Sequence, residues 1–379
     1  MIYIHVPFCH RKCTYCAFYS KPLGTEGASA YVDALLAEME LRKGEQAHPI
    51  RTIYFGGGTP SILPIGQLDR IVDALYECFD LSQVEEVTIE CNPEDLTPDY
   101  LQGLKNIGLV NRLSIGIQSL DDDVLRLIGR RHTAQQALEA VENAHRAGFD
   151  NISVDFIYGI KAINAPNALS ALNALKELVT HISAYSLTVE PGTALAVQVG
   201  QGRVTLPDED EVVRQYHALH WQLTEAGFHQ YEVSNYARPG YESRHNSRYW
   251  DRTSYLGLGP AAHSFDGLHR RWNHGNIEEY ISSYSRLSRF SRDFRLFGLP
   301  FEEETLTAAD AFNELLMTAL RTVHGLPVAA VPEGQKERLH RLMQPYVNCG
   351  WIVMKDGCYS PTTEGLLHAD GMAVSLFDT

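Results

Sequence analysis

Three thiols stand close together near the start of the chain. The stretch "HVPFCHRKCTYCAFYS", residues 5–20, places Cys9, Cys13 and Cys16 within eight positions. A structural zinc site wants four protein ligands, and no fourth Cys or Cys/His pair follows at finger-like spacing. His5 falls in an expected strand and His10 adjoins Cys9, so neither is placed to complete a single-metal site. A disulfide framework would need even numbers and a secreted context. What remains is an iron–sulfur cluster, in which three thiolates would hold three irons of a cubane. The fourth iron would then be open to a ligand that is not protein.

Other polar residues recur at regular intervals. "FGGGTPS", residues 55–61, carries Gly56, Gly57 and Gly58, whose bare backbone would let a polar ligand approach the N–H groups. It is not a dinucleotide fingerprint, and a plain tight turn explains the same residues equally well. Glu90, Gln118 and Asp155 each lie at or near the end of a β-branched run, and Arg130 follows "DDDVLRLIG". Taken singly, each reads as a solvated strand end or a surface ion pair. Together, on the face that carries three thiols, they point to a shared cavity.

The elements that must position these residues alternate in type. Strands are expected over residues 2–6, 52–55, 87–91, 112–117, 152–157 and 182–187. Between them, stretches such as "YVDALLAEMELRK" and "TAQQALEAVENAHRAGF" repeat apolar residues at i, i+3, i+4 and i+7. Strand–helix alternation predicts a parallel α/β sheet or barrel, with chemistry beyond the carboxyl ends of the strands. Six units are visible, two short of a complete eight-fold barrel. The expected organisation is therefore a partial (β/α)₆ barrel over 1–230 and a connecting region of loop and short helix over 231–300. A small winged-helix-like α+β domain follows over 301–379. "FEEET" is read as the linker into that last domain, "LTAADAFNELLMTALRTVHG" as a helix with a glycine stop, and "WIVMKDGCYS" as a hairpin about an Asp-Gly turn.

At 379 residues the chain can bury a full core. The net charge of −15, with Lys and Arg scattered, argues against nucleic acid and against an anionic membrane surface as partner. No export signal and no apolar run of about 18 residues is present, so a cytoplasmic protein without a transmembrane segment is expected. Seven cysteines in such a chain imply reduced thiols, and Cys78, Cys91, Cys349 and Cys358 read as small core residues.

C-x₃-C-x₂-C with Tyr15 before the last Cys, after a first strand, resembles the radical S-adenosylmethionine enzymes. "YIHVPFC", "GGGTPS", "IECNP", "SIGIQS", "GRRH" and "VDFIYGI" together resemble the coproporphyrinogen dehydrogenase-like branch of that family, over nearly the whole chain. The resemblance implies that Cys9, Cys13 and Cys16 bind a 4Fe–4S cluster and that S-adenosylmethionine chelates the open iron. It implies further that Tyr3, Tyr15, Gly57, Gly58, Thr59, Glu90, Gln118, Arg130 and Asp155 contact S-adenosylmethionine. The chemistry agrees, since a ligand carboxylate wants a guanidinium or free N–H groups and a ribose diol wants carboxylate acceptors. The chain departs from the branch after the fifth strand, where a "PGQT"-like segment is replaced by "KAINAPN".

That branch holds two functions. Its oxygen-independent coproporphyrinogen III dehydrogenases carry a fourth cysteine two residues after the third, where this chain has Phe18, and a long N-terminal extension, where this chain has eight residues before Cys9. Its heme chaperones, the HemW type, carry an H-N-x-x-Y-W motif that "HNSRYW", residues 245–250, matches. They bind heme and pass it to apo-proteins of the respiratory chain. The expected function is thus a heme chaperone carrying the cluster and S-adenosylmethionine. The alternative is an oxidoreductase that decarboxylates coproporphyrinogen III through a 5′-deoxyadenosyl radical. Without the family, "RHNSRYW" reads as a surface loop with partly buried aromatics. With it, His245 becomes the expected heme ligand, flanked by Tyr249, Trp250, Arg244 and Arg248. His263 in "GLGPAAHSF" is the competing imidazole. Nothing in the residues decides between a monomer and a homodimer.

Overall fold

The computed structural model describes residues 1–22, 27–45, 48–160, 174–290 and 301–378. Six strands form its centre: β1 (Ile2–Val6), β2 (Thr52–Gly57), β3 (Glu86–Cys91), β4 (Arg112–Gln118), β5 (Asn151–Tyr158) and β6 (His181–Ser186), each parallel to the next. Each alternates apolar and polar residues, as in Ile2-Tyr3-Ile4-His5-Val6 or Arg112-Leu113-Ser114-Ile115. A parallel sheet buried against apolar surroundings on both faces would read as continuous apolar runs. Here successive side chains face different surroundings. Ile2, Ile4, Ile53, Ile89, Leu113, Ile115, Ile152 and Val154 join the apolar core. That core is shared with the helices α1 (Gly27–Arg42), α2 (Ile65–Cys78), α3 (Pro98–Ile107) and α5 (Ala134–Arg146), while the short α4 (Asp122–Leu127) sits beside the cysteine loop. Tyr3, Tyr54, Glu90, Arg112, Asp155 and His181 occupy the opposite, inner face. The expected partial α/β barrel is the fold found, with every expected strand present and each end within two residues of its expected place.

The sheet does not end with the sixth strand. β7 (His229–Gln230) and β8 (Asn235–Ala237) add antiparallel strands beyond β6, and β9 (Leu256–Leu258) adds a parallel strand on the far side of β1. The result is a nine-stranded sheet in the order β9-β1-β2-β3-β4-β5-β6-β8-β7. No break in the sheet therefore falls at residue 230, because residues 229–258 complete both of its edges.

"FEEET" is also not a linker. It is strand β12 (Phe301–Thr305), paired antiparallel with β11 (His269–Asn273), which pairs in turn with β10 (His263–Phe265). Three consecutive glutamates hid the strand pattern. Glu303 pairs with Arg271 at 3.0 Å, and charge of this kind protects an exposed sheet edge.

The C-terminal unit has its own core, centred on Phe312, Leu316, Leu339, Met343 and Tyr359. Its first helix, Ala308–Ala319, stops before the expected glycine at 325. Its wing is the expected hairpin, Ile352–Lys355 with Cys358–Pro361, and Asp356 (φ 50°) and Gly357 (φ 77°) both take left-handed conformations at the turn. Of the four isolated cysteines only Cys91 is buried, and Cys349 is exposed at the end of the helix Glu333–Asn348. Among the described residues no helix is long and apolar enough to cross a membrane.

One buried carboxylate ties the outer strands to the barrel. Glu38, on α1, is fully buried and accepts hydrogen bonds from Arg42 Nη1 (2.9 Å), Gly259 N (2.8 Å), Asn273 Nδ2 (2.7 Å), Tyr280 OH (2.6 Å) and Tyr284 OH (3.1 Å). Removing one partner of a buried ion pair costs about 3–5 kcal/mol. Glu38→Ala should lose stability of that size in urea unfolding. A change below about 1 kcal/mol would show that the surrounding donors find other acceptors.

Candidate functional site

The cysteine loop begins where β1 ends, at the carboxyl edge of the sheet. Backbone bonds pin it: Thr14 N donates to Ile128 O (3.1 Å), Leu195 N to Thr14 O (2.8 Å) and Cys16 N to Cys13 O (3.3 Å). All three cysteines face one cavity of about 520 Å³, together with Tyr15, Gly57, Gly58, Thr59, Glu90, Gln118, Arg130 and Asp155. Thr59 Oγ1 reaches Cys9 Sγ at 3.4 Å, and Arg130 Nη1 reaches Cys13 Sγ at 3.5 Å. Burial raises the Cys16 thiol above its ordinary range. Among the described residues no three His, Cys, Asp or Glu side chains stand close enough to share a single metal ion. A cubane makes no such demand, since each thiolate binds a different iron.

The glycine turn works differently from the expectation. Its N–H groups are not bare: Gly57 N donates to Glu90 Oε2 (3.1 Å), Gly58 N to Val6 O (2.8 Å) and Thr59 N to Phe8 O (2.7 Å). The glycines are required by close approach instead. A Cβ on Gly57, where φ is +109°, would lie 2.6 Å from the His5 ring, and one on Gly58 would lie 2.5 Å from Phe8 O.

Two acids also line the cavity, Glu90 directly against the glycine turn and Asp155 on β5. Burial pushes Glu90 up to about 7, although the Tyr54 hydroxyl donating to Oε1 at 2.9 Å opposes the shift and Asp155 adds to it. Burial likewise raises Asp155 to about 6, against hydrogen bonding from Ser183 and the charge of Arg112. A cationic or diol ligand would offset the cost of ionising both. Gln118 is held at φ 62°, beside the register shift between β4 and β5. A non-glycine residue there costs about 1–3 kcal/mol, and such strain gathers at binding sites. Arg130 is fixed through Nη2, which donates to Asn92 Oδ1 and to Gly116 O, both at 2.6 Å. Its Nε is buried and has no hydrogen-bond partner. Asn92, which also donates to Thr59 Oγ1 at 3.2 Å, was not singled out in the sequence. Its signal was its place in "IECNP", directly after β3. Ser114, Tyr185 and Glu190 also line the cavity. "KAINAPN" lies outside the described residues.

Two expected site residues stand apart from the cavity lining. Tyr3 lies behind the glycine turn, where its hydroxyl shares a 3.1 Å hydrogen bond with His5 Nδ1. His245 sits not on a surface loop but on a helix, α6 (Arg244–Trp250), and is fully buried. Its Nδ1 bonds Thr52 Oγ1 at 2.9 Å and its Nε2 bonds Tyr249 OH at 3.2 Å, so neither nitrogen is free for iron. The expected macrocycle faces are engaged within the protein: Tyr249 meets the His245 ring edge-on with centroids 5.2 Å apart, and the Arg321 guanidinium lies 5.3 Å over the Trp250 ring. His263 is exposed, and its ring stacks on Trp272 with centroids 6.0 Å apart.

Comparison with known proteins agrees with this geometry. The radical SAM superfamily matches residues 3–174, and the HemN C-terminal domain matches residues 306–368. The heme chaperone HemW of Lactococcus lactis subsp. lactis is 34% identical over 327 residues, 86% of this chain and 82% of that one. The heme chaperone HemW of Bacillus subtilis is 32% identical over 378 residues, 99% of this chain and 94% of that one. The coproporphyrinogen III oxidase (HemN) structure from Escherichia coli superposes with a TM-score of 0.81 at 22% identity, covering 99% of this chain and 89% of that one, which shows a shared fold. A chain so similar along its length to proteins of one name belongs with them: it is a member of the HemW family within the radical SAM superfamily.

Proposed function

We propose that this protein is a cytoplasmic heme chaperone that carries a 4Fe–4S cluster and S-adenosylmethionine and passes heme to apo-hemoproteins of the respiratory chain. The observation that carries the reading is the one cavity in which three thiols meet Arg130 and two half-buried acids, Glu90 and Asp155. Cys9, Cys13 and Cys16 would hold the cluster. The Arg130 guanidinium would meet the ligand carboxylate, the glycine turn its ammonium group, and Glu90 and Asp155 its hydroxyls. When bound, the cluster would supply an open iron position and an electron. Arg130 Nη1, 3.5 Å from Cys13 Sγ, places its charge beside one of the three cluster positions.

For heme, the bonds already made by His245 favour His263 as the iron ligand, an exposed imidazole with Trp272 as its aromatic neighbour. The decarboxylase alternative is opposed by Phe18. It is 72% exposed at the mouth of the cavity and stands where that activity would want a further thiol.

Single replacement of Cys9, Cys13 or Cys16 by Ala should abolish the iron and sulfide content of the anaerobically reconstituted protein, while Cys349→Ala should keep it. Normal iron in the first three variants would end the cluster assignment. S-adenosylmethionine should perturb the EPR spectrum of the reduced cluster, and Asp155→Ala should weaken that binding roughly ten- to a hundred-fold, the loss of one charged hydrogen bond. The protein should not convert coproporphyrinogen III, and robust turnover would favour the alternative. Diethyl pyrocarbonate should modify His263 and spare His245, and His263→Ala should lose the Soret band of bound heme. Loss of that band in a His245→Ala variant alone would return the ligand role to His245 and require α6 to open.

A further inference from the structure

His245 is buried, hydrogen-bonded at both nitrogens and absent from the cavity wall, yet only one side chain separates it from that wall. Its ring packs against Tyr54 with centroids 5.1 Å apart and planes tilted by 34°. Tyr54 is held from its other side by Tyr3, at 6.2 Å and 26°. The Tyr54 hydroxyl donates to Glu90 Oε1 at 2.9 Å, and Glu90 lines the cavity. We propose that His245 is a positioning residue for the cofactor cavity: by bracing Tyr54 it fixes the Glu90 carboxylate at the place where the ligand binds. This rests on the reading of the cavity as an S-adenosylmethionine site.

Several contacts make His245 suited to this task. Glu86 on β3 accepts the backbone N–H of Arg244 (3.0 Å) and of His245 (2.9 Å), so the start of α6 is tied to the strand that ends in Glu90. Thr52, which bonds Nδ1, is two residues before Tyr54 on β2 and shares its inner face. His245 is thus anchored to both strands that carry the Tyr54–Glu90 pair, to β2 through its ring and to β3 through its backbone. Its two partners are hydroxyls, and an apolar ring of equal size would leave both buried and unpaired. Burial holds His245 neutral by lowering it to about 3, with the Met1 ammonium and the cations Arg112 and Arg248 adding to the effect. The brace therefore keeps one protonation state across the neutral range.

The remaining neighbours of Glu90 give it no substitute for Tyr54. Gly57 N holds the other carboxylate oxygen, and Asp155 repels the charge. Without the hydroxyl of Tyr54 in place, one oxygen loses its donor, and the acid is both less ionised and free to rotate.

The test uses the full-length, anaerobically reconstituted protein, with S-adenosylmethionine titrated against the EPR signal of the reduced cluster. His245→Phe keeps the ring and removes both hydrogen bonds; Tyr54→Phe removes only the hydroxyl on Glu90. Each should weaken S-adenosylmethionine binding by roughly ten-fold. Iron and sulfide content should stay at the level of the unmodified protein. The double variant should be little weaker than Tyr54→Phe alone, because the two act through one carboxylate. His245→Phe should also change the EPR line shape of the ligand-bound cluster, which a loss of folded protein alone would not do. If His245→Phe does not accumulate, Thr52→Val, which removes only the Nδ1 partner, should show a smaller loss in the same direction.

Unchanged affinity in His245→Phe, or losses that multiply in the double variant, would overturn the inference. Loss of heme from His245→Phe with S-adenosylmethionine affinity intact would overturn it equally. An EPR signal of the unmodified protein that does not respond to S-adenosylmethionine would instead remove the cofactor reading on which the inference stands.

Discussion

The structure depends on a parallel sheet whose two faces meet different surroundings. On the outer face, isoleucine, leucine and valine pack against helices; on the inner face, each strand presents polar groups to a closed space. That inner face has little water to satisfy it, so its groups must satisfy one another. His181 does so through Ser153 Oγ at 2.7 Å and Tyr231 OH at 2.8 Å, and His245 through Thr52 and Tyr249. Towards the carboxyl ends of the strands this mutual satisfaction stops. There Glu90 and Asp155 keep their protons close to neutrality. The cavity is the part of the inner face that the protein leaves for a ligand to complete.

The glycine turn shows how tightly the two regions join. Its backbone is pressed from behind by the rings of His5, Tyr3 and Tyr54 and by the carbonyl of Phe8. The same rings belong to the column that continues through His245 and Tyr249 to Tyr255. A residue can therefore shape the cavity without touching it. Tyr3 and His245 belong to this class, one packed behind Gly56 and the other braced against Tyr54.

The outer strands serve a different purpose. β9 and the sheet β10–β12 close the free side of β1, and Glu38 is the point at which they are held. Five donors converge on this carboxylate from α1, from the turn after β9, from β11 and from the helix Ile277–Phe290. Arg42 extends the tie to Gly257 O at 2.7 Å and Ser264 Oγ at 3.0 Å. His263 lies on this added layer, between Gly257, whose Cβ position its carbonyl would occupy, and Trp272. Its exposure is thus a consequence of how the second sheet is joined to the first.

The amino-acid sequence by itself determined the strand–helix alternation, the cysteine trio and the polar strand ends, because these depend on side-chain type and on spacing along one strand or loop. Glu90, Gln118, Arg130 and Asp155 were legible because every parallel strand delivers its end to the same edge. The C-terminal hairpin was legible because Asp-Gly accepts the left-handed backbone its turn needs. Only the tertiary structure decided the role of residues whose neighbours are distant in sequence. "FEEET" became a strand because Arg270 and Arg271 lie opposite its glutamates, and the short segments β7, β8 and β9 joined the sheet because β1 and β6 had open edges. The N–H groups of Gly57, Gly58 and Thr59 were claimed by Glu90, Val6 and Phe8. His245 looked like a ligand because an imidazole among aromatics can bind iron; whether its nitrogens are free depends on Thr52, 193 positions away, and no local pattern records that contact.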